Sequence, residues 1–236
     1  MEKNLNDVKY IRMDDYPHGK PQYHLNPMQV VNSWVKIFEE KKINYILGVS
    51  PLLLKIDDII FLKNTIKNGK IVMHGFNHKF DHKGDWNTIV STWEHGGEFM
   101  NMSEDTILQK YLESDKILSI FDSYDKTHFI PPFNCLTQEL VNVLSESGVK
   151  YIHTCDKEYN EYNYKDIDFK NIEPIIAKYH KGYDHAHEVL KRMDNNDDLG
   201  QITLHWIFDC EFRDWLLNYE RLINRLNEDT DYTRKW

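Results

Sequence analysis

The sequence predicts an α/β fold in which parallel strands are covered by outer helices, as an incomplete or distorted barrel or an open sheet. Two observations lead there. Short apolar runs alternate with longer stretches of helical periodicity along all 236 residues, and that alternation builds a parallel sheet with helices outside. Seven runs read as strands, a number that suits an incomplete barrel. No linker or composition break divides the chain, so residues 1–236 are expected to form one domain.

Val8 to Met13 is the first expected strand. Met28, Val31, Val35 and Phe38, widened by Val30 and Trp34, mark one face of a helix. Asn44 to Val49 is the second strand, and Ile56 to Ile66 a second helix stopped by Asn68-Gly69. Lys70 to Met73 runs straight into His74. From Lys79 to Met102 the chain is polar and aromatic without clear periodicity, and a connection that long is usually functional or mobile. Ser103 with Glu104 and Asp105 begins the next helix, because a hydroxyl cap and acidic first turn suit a helix N-terminus. Its buried face is expected to be Ile107, Leu108, Tyr111, Leu112, Leu118 and Phe121.

Thr127 to Ile130 is the fourth strand, and Thr137 to Gly148 a helix between a capping threonine and a terminating glycine. Val149 to His153, Ile175 to Tyr179 and Gln201 to Ile207 complete the strands, with a helix at Ala186 to Met193. The last helix has the clearest spacing: Phe212, Trp215, Leu216, Tyr219, Leu222, Ile223 and Leu226.

A formal charge of -9 argues against nucleic acid or an anionic membrane as partner, since phosphate binding needs a basic surface. No stretch approaches the roughly 20 apolar residues of a membrane span. Met1 to Asp7 lacks the apolar core of a secretory signal. Three cysteines, Cys135, Cys155 and Cys210, cannot all pair, and reduced thiols in a cytoplasmic protein are the expectation.

In parallel α/β folds reacting groups gather at the carboxyl ends of strands. Asp14-Asp15, His74, Pro131-Pro132-Phe133, Asp156 and His205 all fall at such ends. His74 and His78 are separated by three residues, a spacing that on a helical turn points both imidazoles to one side. Two imidazoles and a carboxylate suit zinc, and also cobalt, nickel, manganese or iron. Adjacent carboxylates repel unless a cation or a proton relieves them. A metal on one and a proton on the other would resolve the conflict. Pro131-Pro132 fixes a stiff backbone, after which the Phe133 N–H could meet an oxyanion. By strand alternation His205 shares a face with Thr203. Glu98 is a candidate site group in a lid, with a solvated loop glutamate as the plainer alternative.

These residues resemble the motifs of the polysaccharide deacetylases, the family 4 carbohydrate esterases with a chitooligosaccharide-deacetylase homology domain. Arg12-Met-Asp-Asp15 is similar to the first motif, His74 with His78 to the second, and Pro131-Pro132-Phe133 to the third. Thr203-Leu204-His205 matches the last loosely. The resemblance implies a distorted (β/α)7 barrel, one divalent metal, and removal of an acetyl group from a sugar or surface-polysaccharide precursor. It implies Asp15, His74 and His78 as metal ligands, Asp14 as general base, His205 as general acid, and Phe133 beside Pro132 at the oxyanion. Two features depart. Ile130 stands where the family tethers its base with an arginine, and Arg12 could substitute, since residues 12 and 14 share a strand face about 6.7 Å apart. The acidic, Trp-containing fourth motif is absent, with Asp156 the positional candidate for a substrate-side group. Competing readings are a non-catalytic carbohydrate-binding relative and a metal-dependent amidohydrolase or phosphoesterase on a related barrel.

Overall fold

The computed structural model describes residues 9–17, 27–79, 97–155, 164, 167–177, 189–191, 194–195, 201–204 and 215–228. Seven strands form one sheet: β1 Tyr10–Tyr16, β2 Tyr45–Val49, β3 Lys70–Met73, β4 Tyr124–Phe129, β5 Tyr151–Cys155, β6 Glu173–Ala177 and β7 Gln201–Leu204. Their order is β6-β5-β4-β3-β2-β1-β7, and every neighbouring pair is parallel. Helices α1 Pro27–Lys41, α2 Ile56–Thr65, α3 Glu104–Leu118, α4 Gln138–Glu146 and α5 Trp215–Glu228 accompany it. The sheet curls into the distorted (β/α)7 barrel that the sequence predicts.

Strand alternation sorts side chains into two apolar clusters. Ile11, Met13, Leu47, Val49, Ile71, Met73, Phe129, Ile152, Ile202 and Leu204 face the helices and join Val31, Val35, Phe38, Leu62, Ile107, Leu140 and Leu226. Tyr10, Ile46, Val72 and Ile130 form a second, smaller cluster on the inner face. The inner face is therefore the mixed one, apolar in patches and otherwise polar.

The helix signals act as expected at their ends. Ser103 Oγ accepts the Thr106 N–H and Thr137 Oγ1 accepts the Leu140 N–H, each satisfying a donor left over in a first turn. Gly148, at φ 85°, takes the left-handed position beyond α4. On α3 the expected face needs correcting. Ile107, Tyr111, Ser114 and Leu118 are buried, whereas Leu108 and Leu112 are 37% and 50% exposed. The buried stripe follows a strict four-three-four spacing, and Leu108 and Leu112 stand one residue, about 100°, around the helix from it. The expected helix over 186–193 lies largely outside the described residues, as do Phe212 and the expected ends of β6 and β7.

A polar chain crosses the barrel interior. The Tyr10 hydroxyl donates to Gln201 Oε1 at 2.8 Å and lies 2.9 Å from His153 Nδ1. His153 Nδ1 therefore carries the proton, and its Nε2 accepts from His128 Nδ1 at 2.8 Å. Both imidazoles are neutral. Burial drives His128 down to about 4, with Asp125 opposing and Lys70 assisting. Burial, then His128 and Arg12, hold His153 well below its ordinary value.

The sign follows from linkage. Above pH about 6.5 neither the folded nor the unfolded chain protonates these rings, so their contribution is fully present. As pH falls toward His128's folded value, the unfolded chain takes up protons that the fold refuses. About 3 kcal/mol is then lost through His128 alone. Urea unfolding at about pH 7.5 and about pH 5 should show about 2 kcal/mol of this loss, because pH 5 still lies above the folded value. His128→Asn keeps a side-chain N–H for His153 and cannot ionise, so its pH slope should be flatter. An unchanged slope would remove His128 as the cause.

Candidate metal centre

The site lies at the carboxyl ends of β1, β2 and β3, and the first residues to build it belong to β1. Strand alternation sends Tyr10, Arg12 and Asp14 inward, and the last two are each 1% exposed. β1 does not stop before the aspartates, as expected from sequence, but continues through them to Tyr16. Its register against β2 shifts between Met13 and Tyr16, and Asp15 has φ 66°. Regular pleating would have turned Asp15 away from Asp14. The bulge and the left-handed backbone, which aspartate tolerates better than most residues, turn it back.

Asp14 and Asp15 meet different partners. Arg12 forks onto Asp14, Nε to Oδ1 at 2.8 Å and Nη2 to Oδ2 at 2.6 Å. The same guanidinium reaches Asn134 Oδ1 at 3.1 Å and the His153 carbonyl at 3.5 Å. Tyr164 in turn donates its hydroxyl to the Asn134 carbonyl. Arg12, two residues ahead of Asp14 on the same strand face, thus holds that carboxylate directly. Asn134 was not singled out by the sequence. The available signal was an asparagine directly after Pro-Pro-Phe, a residue that accepts the left-handed φ of 49° found there.

Asp15 Oδ1 lies 3.0 Å from His74 Nε2 and 2.9 Å from His78 Nε2. One ligand atom from each of the three falls within 4.8 Å of the others. His74 Nδ1 donates to the Ile130 carbonyl at 3.0 Å. That bond leaves Nε2 of the neutral ring as an acceptor, facing a carboxylate oxygen that is also an acceptor. Two lone pairs at 3.0 Å repel unless a positive charge lies between or beside them. At His78, burial disfavours the charged ring, but the hydrogen bond and charge of Asp15, with Glu98 and Asp14, outweigh it and raise its pKa. A donor set of two imidazole nitrogens and one carboxylate, with one ring braced by a backbone carbonyl, fits a divalent transition metal.

The turn that carries His78 is not helical, contrary to expectation. Gly75 has φ 65° and His78 φ 51°, and the turn is held by Glu98. The Glu98 carboxylate accepts the backbone N–H groups of Phe76, Asn77 and His78 at 2.9 to 3.1 Å. Glu98 is buried, so it is not a solvated loop residue, and its oxygens are turned to the backbone of this turn. Three N–H donors in a tight turn cannot be left buried and unpaired, and a carboxylate satisfies all of them.

Gly48 on β2 forms the floor. A Cβ there would lie 3.1 Å from Ile130 Cδ1, 3.3 Å from His74 Cβ and 3.4 Å from Asp14 Oδ1. Phe133 follows Pro131 and Pro132 with φ 58°, and its ring packs 4.4 Å from that of His78. The Pro-Pro turn therefore borders the imidazoles. Half-buried Cys135 is a free thiol pushed up to about 11 by burial, which makes it a poor nucleophile. His205 and Asp156 lie outside the described residues.

No family model and no curated relative matches the sequence. Solved structures do. A family 4 acetyl xylan esterase from Clostridium thermocellum in complex with a cobalt ion is 12% identical, with a TM-score of 0.54 over 93% of this chain and 83% of that one. A family 4 pseudoenzyme from Bacillus anthracis is 10% identical, with a TM-score of 0.54 over 97% of this chain and 66% of that one. The fold is that of the family 4 carbohydrate esterases. A 4-alpha-glucanotransferase from Thermococcus litoralis is also similar, at 14% identity and a TM-score of 0.62, over 97% of this chain and 38% of that one. This chain thus resembles in fold proteins named for different reactions, and the chemistry has to be argued from the site.

Proposed function

We propose that the protein is a metal-dependent deacetylase acting on an acetylated sugar or glycan precursor. The observation that carries this reading is the pairing of Asp15, His74 and His78 around one point, beside an Asp14 carboxylate held separately by Arg12. A divalent cation at that point supplies a Lewis acid for the acetyl carbonyl and lowers the pKa of a nucleophilic water toward about 7.

The chain's own residues do the rest. Asp15, His74 and His78 would hold the cation, zinc or cobalt suiting the donor set. Asp14 accepts the proton of the attacking water, its orientation fixed by the two-pronged Arg12 contact. The Phe133 N–H donates to the oxyanion as the carbonyl carbon becomes tetrahedral. His205, next in sequence after β7, returns a proton to the departing nitrogen or oxygen of the sugar. Asp156 is a candidate for contact with the sugar itself. No described helix is long and apolar enough to cross a membrane. A glycan precursor such as a nucleotide sugar is the first substrate class to test.

The test is acetate release from N-acetylated and O-acetylated sugars and nucleotide sugars. Activity should disappear on chelation and return with one equivalent of zinc or cobalt. Acetate release undiminished by complete metal removal would overturn the proposal. A second reading, a non-catalytic carbohydrate-binding relative, is favoured by Ile130 in place of the family's tethering arginine. Against it stands Arg12, which makes the same kind of contact from β1. Metal and sugar binding without acetate release from any of these compounds would decide for the second reading.

A further inference from the structure

We infer that Glu98 is a positioning residue of the metal centre, acting as an internal anion that shapes the turn between His74 and His78. The inference rests on the reading of Asp15, His74 and His78 as metal ligands. It does not make Glu98 a fourth ligand, because its oxygens are already turned to backbone donors.

The geometry is specific. Both carboxylate oxygens receive the Phe76 N–H, at 3.0 and 3.1 Å. Asn77 N–H reaches Oε1 at 2.9 Å and His78 N–H reaches Oε2 at 3.1 Å. Three successive N–H groups thus converge on one charge, the arrangement by which a backbone turn cups an anion. Gly75 makes room for it: a Cβ there would collide with Glu98 Oε2 and Pro132 Cγ. Gly97 lets the segment carrying Glu98 approach, since a Cβ on it would come within 2.6 Å of Cys135 Cβ. Phe99 then anchors that segment in the core, its ring 6.3 Å from Phe129.

The last N–H in the cup belongs to His78 itself, so its backbone, at φ 51°, is fixed by Glu98. The Nε2 of that residue faces Asp15 at 2.9 Å. Without the carboxylate, three donors, one buried and two part-buried, would seek water or rotate, and the His78 ring would lose its fixed bearing on Asp15. Glu98→Gln preserves shape but turns an NH2 group toward N–H donors. Glu98→Asp keeps the charge and shortens the reach.

A comparable clamp elsewhere supplies the control. Glu39 accepts the Tyr45 hydroxyl at 2.6 Å and the N–H groups of Asn68 and Gly69, at the amino ends of β2 and β3. Cobalt titration of the metal-free protein should give one site, weakened by about 10–100-fold in Glu98→Gln and by less in Glu98→Asp. Glu39→Gln should lower the unfolding midpoint yet leave cobalt affinity unchanged. Amide exchange in the metal-free protein should speed up at residues 76–78 in Glu98→Gln. A folded Glu98→Gln that binds cobalt as the parent does would overturn this inference alone. So would an equal loss of affinity in Glu39→Gln, which would mark the effect as general loosening. A parent protein that binds no cobalt would overturn the metal reading itself, and this inference with it.

Discussion

Replacing Asp14 with asparagine should cut acetate release by about 10²–10⁴-fold while one metal ion per chain remains bound. The amide keeps the shape of the carboxylate and can still accept one Arg12 hydrogen bond. It cannot take a proton from water. Metal should stay because the three proposed ligands are Asp15, His74 and His78, and Asp14 is turned to Arg12 at 2.6 and 2.8 Å. Metal content and turnover have to be measured on the same preparation, so that loss of the ion and loss of the base are separated. Full activity in Asp14→Asn would remove Asp14 from the mechanism. Loss of metal together with activity would reassign it as a ligand.

Arg12→Met should destabilise the protein by about 3–5 kcal/mol, because it leaves the Asp14 carboxylate buried without its cation. Arg12 and Asp14 are each 1% exposed, so bulk solvent compensates little for the lost cation. The loss of hydrogen bonds to Asn134 and the His153 carbonyl adds to the effect. The double replacement Arg12→Met with Asp14→Leu should recover most of the stability, since removing both charges is far less costly than orphaning one. Denaturant unfolding of the parent and the two variants would show the order. A single Arg12→Met within about 0.5 kcal/mol of the parent would mean that the pair carries no more than an exposed contact.

Much of the barrel was legible from periodicity. Val31, Val35 and Phe38 on α1, and Leu222 and Leu226 on α5, are buried as their spacing requires. Strand ends were read less well. β4 begins at Tyr124, ahead of the expected Thr127, because Tyr124, Asp125 and Lys126 are polar or amphipathic and give no apolar run. The histidine pair was readable as a pair, but the turn that joins it was not. Its conformation depends on Glu98, twenty residues further along, and such a contact leaves no local pattern. The reach from Arg12 to Asp14 was readable because both residues occupy one strand face. Asn134, beyond the end of β4, and His153, in the middle of β5, also meet that guanidinium and become its neighbours only when the sheet curls. The network of Tyr10, His128, His153 and Gln201 was hidden for the same reason.

The irregularity in β1 has a consequence for how acidity is divided. Successive residues in an extended chain normally look out on opposite worlds, helix layer on one side and lumen on the other. Here a single left-handed torsion at Asp15 brings both members of an acidic dipeptide to the same mouth, yet gives them unlike company: a guanidinium for one, imidazoles for the other. Two carboxylates joined by one peptide bond thereby occupy distinct electrostatic niches. The separation that could come from acids on distant segments is obtained here within one dipeptide, by the irregular register of β1 and the left-handed backbone at Asp15.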